Sequence, residues 1–215
     1  MSVDRNEIRN LLRLREFDGL SRFKQKKLAS MLITFLNDED ELYRFRAAEA
    51  LGITCKKIAE SDEEHVRKIL RRLFWSLNDE SGSYCVGAPL GIGEIGRNAP
   101  VPFEGFKNML VSLMDNWEVE LKYVVYAIGR AASSVKDAYP DPVEKLIPLL
   151  KHKKAEIRSY AAWALGELKA EKAREESESL MRDVDEITIY DGVFKKLKVK
   201  EIAEKALAKI NSSLV

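Results

Sequence analysis

The chain has 215 residues, with 36 Lys and Arg against 35 Asp and Glu, so its net charge is +1. That length suffices for one domain with a shared core, and the balanced charge supplies no long-range pull toward phosphate backbones or anionic lipid. Two cysteines, Cys55 and Cys85, are too few for a disulfide framework, and no apolar run approaches the roughly 18 residues that span a bilayer.

The N-terminus, MSVDRNEIRN, lacks the apolar stretch of a secretory signal. The expectation is therefore a cytoplasmic chain with no membrane partner, in which the sequon Asn211-Ser212-Ser213 is coincidental. In chain order, Asp4-x-x-Glu7 opens an N-terminal capping helix within residues 1–19 that ends near Asp18-Gly19. Four helical hairpins follow, at about 21–60, 61–99, 100–137 and 140–170. Ser61-x-x-Glu64 reads as a capping box. Pro102 and Pro142 suit a first helical turn, and Pro148 should kink its helix. Residues 171–215 read as a degenerate fifth unit. There, Ile187, Ile189 and Tyr190 lead into Asp191-Gly192, a hairpin signal. A final helix over 200–211 carries Ala203, Ala206 and Leu207.

The repeat rests on columns. Gly52, Gly93, Gly129 and Gly166 are spaced by 41, 36 and 37 residues, close to the period of paired-helix repeats. Sixteen residues upstream of each stands Leu36, Leu77, Leu113 or Leu150, and twenty upstream Leu32, Leu73, Met109 or Leu146. Fourteen upstream stands Asp38, Asp79, Asp115 or His152, and five upstream Ala47, Ala88, Val124 or Ala161. Each unit thus has a first helix with leucines four apart on one face, a polar turn, and an Ala-rich second helix that lets backbones approach.

The segments 43–52 (YRFRAAEALG) and 157–166 (IRSYAAWALG) resemble HEAT repeats, and more narrowly the short HEAT-like repeats of phycobilisome lyases, over roughly residues 22–210. The resemblance implies an all-α fold, a right-handed α-solenoid of HEAT-like hairpins with one small β-hairpin near the C-terminus, forming a single domain over 1–215. It also implies a ladder between turn acids and second-helix arginines. Asp38 and Arg44 fit that ladder, Cys85 and Leu121 replace the arginine, and His152 replaces the acid before Arg158.

Gly91-x-Gly93-x-x-Gly96 matches a dinucleotide fingerprint in letters only, because the required strand does not precede it. Its glycines read as a tight helix contact, within a Gly- and Pro-rich stretch over 79–102 that is either a functional loop or a structural bend. His65 and His152 have no second ligand at helical spacing, so no metal or cofactor is expected. Cys85 reads as either a reactive thiol or a small core residue. No catalytic constellation is visible.

The stripe three and six residues before each glycine, and one after, is the candidate partner-binding surface. It comprises Arg46 and Glu49, then Leu90 and Glu94, then Tyr123, Tyr126 and Arg130, then Tyr160, Trp163 and Glu167. The resemblance places second helices on the inner curve, so the four rings would form an aromatic floor. Aromatic side chains and arginine are common binding anchors; the same rings could instead fill space between curved helices. The expected function is a non-enzymatic protein-protein interaction scaffold or assembly factor, a monomer or weak oligomer. Two alternatives are a lyase-like factor handling a tetrapyrrole and, behind it, a HEAT-like DNA-repair glycosylase. The stripe's Glu49, Glu94 and Glu167 count against nucleic acid.

Overall fold

In the computed structural model of the chain, residues 4–78, 82 and 84–212 are described. Among the described residues the architecture is all-α apart from one two-stranded antiparallel sheet near the C-terminus. The chain folds into two compact units, Met1–Phe106 and Lys107–Val215. Asp79 and Ser213 of the readings above lie outside the described residues.

The first unit contains α1 (Arg5–Leu14), α2 (Gln25–Phe35), α3 (Glu41–Ala59), α4 (Glu63–Trp75), α5 (Ala88–Asn98) and α6 (Pro100–Phe103). Asp4 caps α1 by accepting from Glu7 N at 2.9 Å. The helix stops earlier than the sequence suggests, at Leu14, because Arg15 turns into the left-handed region with φ 58°. A 3-10 helix, Phe17–Arg22, carries the chain on to α2. The cap of α4 also differs from the Ser61–Glu64 box. Asp62 accepts from His65 N at 3.0 Å, while the Ser61 hydroxyl turns back to Ile58 O. α3 is the hub of this unit, packing on α1, α2, α4 and α5. The GxGxxG glycines lie inside α5, where added bulk at Gly91 would press on Leu36 and Leu51. The tight-contact reading is the one the structure adopts.

The second unit contains α7 (Lys107–Ser112), α8 (Leu121–Arg130), α9 (Ala132–Val135), α10 (Pro142–Leu146), α11 (Ala155–Glu167), α12 (Arg174–Ser179), β1 (Glu186–Tyr190), β2 (Phe194–Lys198) and α13 (Val199–Asn211). Asp141 caps α10 through Val143 N at 2.8 Å, with Pro142 in the first turn. Pro148 converts the rest of that helix into a 3-10 segment, Ile147–Lys151. The hairpin forms where Asp191-Gly192 places it, Tyr190 pairing with Phe194 and Gly192 taking φ 73°. Glu201 accepts from Lys198 N at 2.6 Å and so starts α13.

The third repeat is one residue out of step with the glycine columns. Its first helix is broken into α6, a 3-10 turn over Glu104–Phe106, and α7. Met109 is 47% exposed, and Leu110 takes the core position instead. Its turn shifts equally, since Asn116 rather than Asp115 receives the backbone N–H two residues on. The first and fourth turns make that bond, Asp40 N donating to Asp38 Oδ1 at 3.1 Å and Lys154 N to His152 Nδ1 at 3.1 Å. His152 therefore performs the acceptor role of the missing acid.

Both second-helix arginines first close their own turns. Arg44 Nη1 donates to Asp38 O at 2.7 Å and Glu39 O at 3.3 Å. Arg158 Nη1 donates likewise to His152 O at 2.8 Å and Lys153 O at 3.2 Å. Each closes its own turn through carbonyls, which explains why an acid is dispensable there. The links between successive turns use Arg9, Lys145 and, as the implied ladder has it, the second-helix Arg158. Arg9 pairs with Asp38, Lys145 with Asp115, and Arg158 with Asp183 and Asp185. Beside Cys85, where arginine is missing, Asn37 bridges Tyr84 O at 2.9 Å and Val86 N at 3.0 Å.

Candidate partner-binding site

The predicted stripe divides into residues that the chain uses for itself and residues that meet a cavity. In the first unit, Arg46, Glu49, Leu90 and Glu94 are all buried, which corrects their reading as an open surface. Arg46 Nη1 donates to Leu12 O and Arg13 O, the end carbonyls of α1. Glu49 accepts from Arg15 Nε and Nη2 at 3.0 and 2.8 Å. The N-terminal helix is thus latched onto this part of the stripe.

In the second unit Tyr123, Tyr126 and Tyr160 are each only 2% exposed, so Tyr123 and Tyr160 are core residues rather than an open floor. Tyr160 is covered because the hairpin lies on it, its hydroxyl accepting from Tyr190 N at 3.3 Å. Tyr126 is the centre of an aromatic cluster. Its ring stacks on Trp163 at 5.3 Å and meets the rings of Tyr160 and Tyr190 edge-on at 6.0 and 6.4 Å.

Four stripe residues, Tyr126, Arg130, Trp163 and Glu167, line a cavity of about 480 Å³ lying wholly within the second unit. That volume falls in the usual range for ligand pockets, roughly 300–1,000 Å³. Ile189 and Tyr190 of β1 and Ile202 and Ala206 of α13 complete its buried lining. Asp191, Lys205, Lys209 and Ser212 stand exposed at its mouth, with Arg130, Trp163 and Glu167 half-buried between. Lys209 pairs with Glu167, and Lys195 with Asp191 at 2.9 Å. The Asp191 carboxyl is held below its ordinary range first by that hydrogen bond from Lys195, with Lys205 and Arg130 adding to the effect.

The α13 and hairpin residues were missed from sequence, although the signal existed. Ala161, Ala164 and Leu165 recur as Ala203, Ala206 and Leu207. The offset is the 42 residues that separate Glu167 from Lys209. Carrying the stripe forward by it turns Tyr160, Trp163 and Glu167 into Ile202, Lys205 and Lys209, all three of which line the cavity. The most exposed rings are elsewhere, Trp117 at 89% and Tyr139 at 82%.

Both cysteines are free and buried. Burial pushes the Cys55 thiol up to about 12 and also raises that of Cys85. Iodoacetamide at about pH 8 is therefore expected to leave both unmodified in the native protein and to alkylate both in denaturant, as read by mass spectrometry, because the thiolate is the nucleophile. Rapid native alkylation of Cys85 would restore its reading as a reactive thiol.

Three comparisons bear on this geometry. The HEAT-like repeat family matches residues 119–168, the segment carrying α8 and α11. A protein of Archaeoglobus fulgidus, itself uncharacterized, is 58% identical over 142 residues, covering 65% of this chain and 72% of the relative. Among solved structures, a designed armadillo repeat protein in complex with the peptide (KR)4 is similar over 98% of this chain and 95% of its own. Its TM-score is 0.52 and its identity 22%. An engineered protein matches 99% of this chain and 93% of its own, with a TM-score of 0.52 and 19% identity. These likenesses establish the helical-repeat fold, without the narrower lyase-type assignment.

Proposed function

We propose that this chain, whose residues 119–168 match the HEAT-like repeat family, is a non-enzymatic interaction scaffold that grips a segment of a partner protein in the cavity of its second unit. The observation that carries this reading is the cavity itself. A ring wall of Tyr126, Trp163 and Tyr190 stands beneath a mouth of exposed charged side chains. Partly buried aromatics inside a charged rim are the usual anatomy of a binding hot spot. Repeat folds also present such side chains from successive helices, as α8, α11 and α13 do here. The designed armadillo protein of the same fold is a precedent for holding a peptide, and fold alone does not set the ligand.

The test uses the protein and a Trp163→Ala variant of intact helicity as parallel baits in lysate of the source organism. A protein held by the parent and lost from the variant is the expected result. Losing one stacked ring at a hot spot removes about 2 kcal/mol or more, roughly thirtyfold in affinity. Equal retention by both baits, or none by either, would place partner docking outside this cavity.

A further inference from the structure

We infer that the edge of the second unit on which its helix-to-helix turns lie is a second docking surface. It takes an extended acidic segment of a partner protein with an apolar or aromatic residue at each end. This surface is separate from the cavity, and neither reading depends on the other.

The turns of the third, fourth and fifth repeats are built alike. Glu118 N donates to Asn116 Oδ1 at 3.0 Å, Lys154 N to His152 Nδ1 at 3.1 Å, and Asp185 N to Asp183 Oδ1 at 3.1 Å. In each, the residue between donor and acceptor faces solvent. Trp117 is 89% exposed, Val184 is 62% exposed, and Lys153 is exposed on the turn between them. The turns stand side by side. Arg158 donates to the carbonyls of His152 and Lys153 and to the carboxylates of Asp183 and Asp185, so one guanidinium spans two turns. Lys122 reaches Glu156 at 3.2 Å, which joins the starts of the helices that follow the third and fourth turns.

Charge varies along this edge. Lys151, Lys153 and Lys154 are exposed, and none has an ion pair among the described residues. The neighbouring carboxylates are engaged: Asp115 pairs with Lys145, Glu156 with Lys122, and Asp183 and Asp185 share Arg158. Glu118 and Glu120 stand beside Trp117. Unpaired positive charge is thus concentrated on the fourth turn, with an exposed apolar side chain on the turn to either side.

Packed helices lie about 8–10 Å apart, so Trp117 and Val184, two repeats apart, are separated by roughly 20 Å. An extended chain covers that distance in about six steps. The segment that fits is about seven residues long, with its acids at the centre. Its end side chains gain by covering exposed apolar surface, and its acids are steered and held by the lysines. A nucleic-acid strand carries a phosphate at every step, which would set negative charge beside Glu118 and Glu120.

The experiment follows two fluorescein-labelled peptides by anisotropy on the full chain. One is Phe-Gly-Asp-Glu-Asp-Gly-Leu, and the other its uncharged counterpart Phe-Gly-Asn-Gln-Asn-Gly-Leu. The acidic peptide is expected to bind at least about tenfold more tightly at low salt, with the preference vanishing near about 0.5 M NaCl. A variant carrying Lys153→Glu and Lys154→Glu should lose about tenfold or more in affinity, and Trp117→Ser about fivefold. Both variants change exposed side chains and should keep the parent's melting curve. Trp163→Ala, in the cavity, should leave this affinity unchanged.

Equal binding of the two peptides, or of neither, overturns the inference and leaves the cavity reading standing. Loss of the acidic peptide from Trp163→Ala but not from the lysine variant places the segment in the cavity, which also overturns it. Displacement of the peptide by single-stranded oligothymidylate at lower concentration would make the edge a nucleic-acid surface instead. A dimer of the parent that Trp117→Ser abolishes in sedimentation would mean that a second copy covers the edge, and the inference would again fall.

Discussion

Gly52→Ala is expected to destabilise the first unit by about 2–4 kcal/mol, a fall of roughly 4–16 °C in melting temperature for a chain of this size. A Cβ at Gly52 would lie 2.6 Å from Glu94 O and 2.7 Å from Asn98 Nδ2. The first of these is backbone, fixed by the helical bonding of α5, so relief requires α3 and α5 to separate. Alanine has the better helix propensity by about 1 kcal/mol, which works in the opposite direction. The steric term wins because the contact is with main chain in a close-packed core. Gly105→Ala is the matched control. Nothing lies within 4 Å of its added carbon, and its stability should change by less than about 1 kcal/mol. Thermal unfolding followed by circular dichroism separates the two. A Gly52→Ala protein as stable as the parent would mean that α3 and α5 are not in direct backbone contact.

Arg46→Ala should release the N-terminal helix. The Arg46 guanidinium donates to two end carbonyls of α1, Arg13 O and Leu12 O, the latter also accepting from Arg15 N at 3.1 Å. It does so from a position only 7% exposed and one helical turn from Glu49, itself bound to Arg15 at the same helix end. Truncation removes both Arg46 bonds and a cation from a helix C-terminus, at a combined cost of about 1–3 kcal/mol. Hydrogen exchange over residues 4–16 is the direct measurement. Protection there should collapse toward that of a free peptide, while the second unit keeps its own. Unchanged protection would show that apolar contacts of Ile8, Leu11 and Leu12 hold α1 without the latch.

Much of the fold was legible because its signals are local. Glycine columns, leucine spacing, the Asp4 and Asp141 caps and the Asp191-Gly192 turn depend on residues a few positions apart. The misplaced Ser61 cap shows the limit of that locality, since Asp62 sits one residue nearer and also takes Lys26. The one-residue slip of the third repeat was hidden because Met109 and Leu110 are both apolar, and only burial separates them.

The site was harder to read, for a different physical reason. Helical periodicity says which residues share a face, and it does not say what covers that face. Arg46 and Glu49 fall in the same sequence stripe as Trp163, yet α1 covers the former pair while a cavity opens beside the latter. Tyr160 is buried by Tyr190, thirty residues downstream, a distance over which no local rule operates.

The glycine column also determines whether the array can be extended. Gly129 receives Trp163, and Gly166 receives the backbone of Ala206, each in space that a methyl group would fill. Moving on from Gly166 by the same 42-residue step reaches Ala208, whose methyl is exposed. α13 thus presents a methyl where the preceding second helices present an empty seat. An engineer wishing to graft another hairpin onto this face would have to restore glycine at Ala208 first. In a fold whose units adhere side to side, one carbon atom serves as a stop codon written in the folded structure.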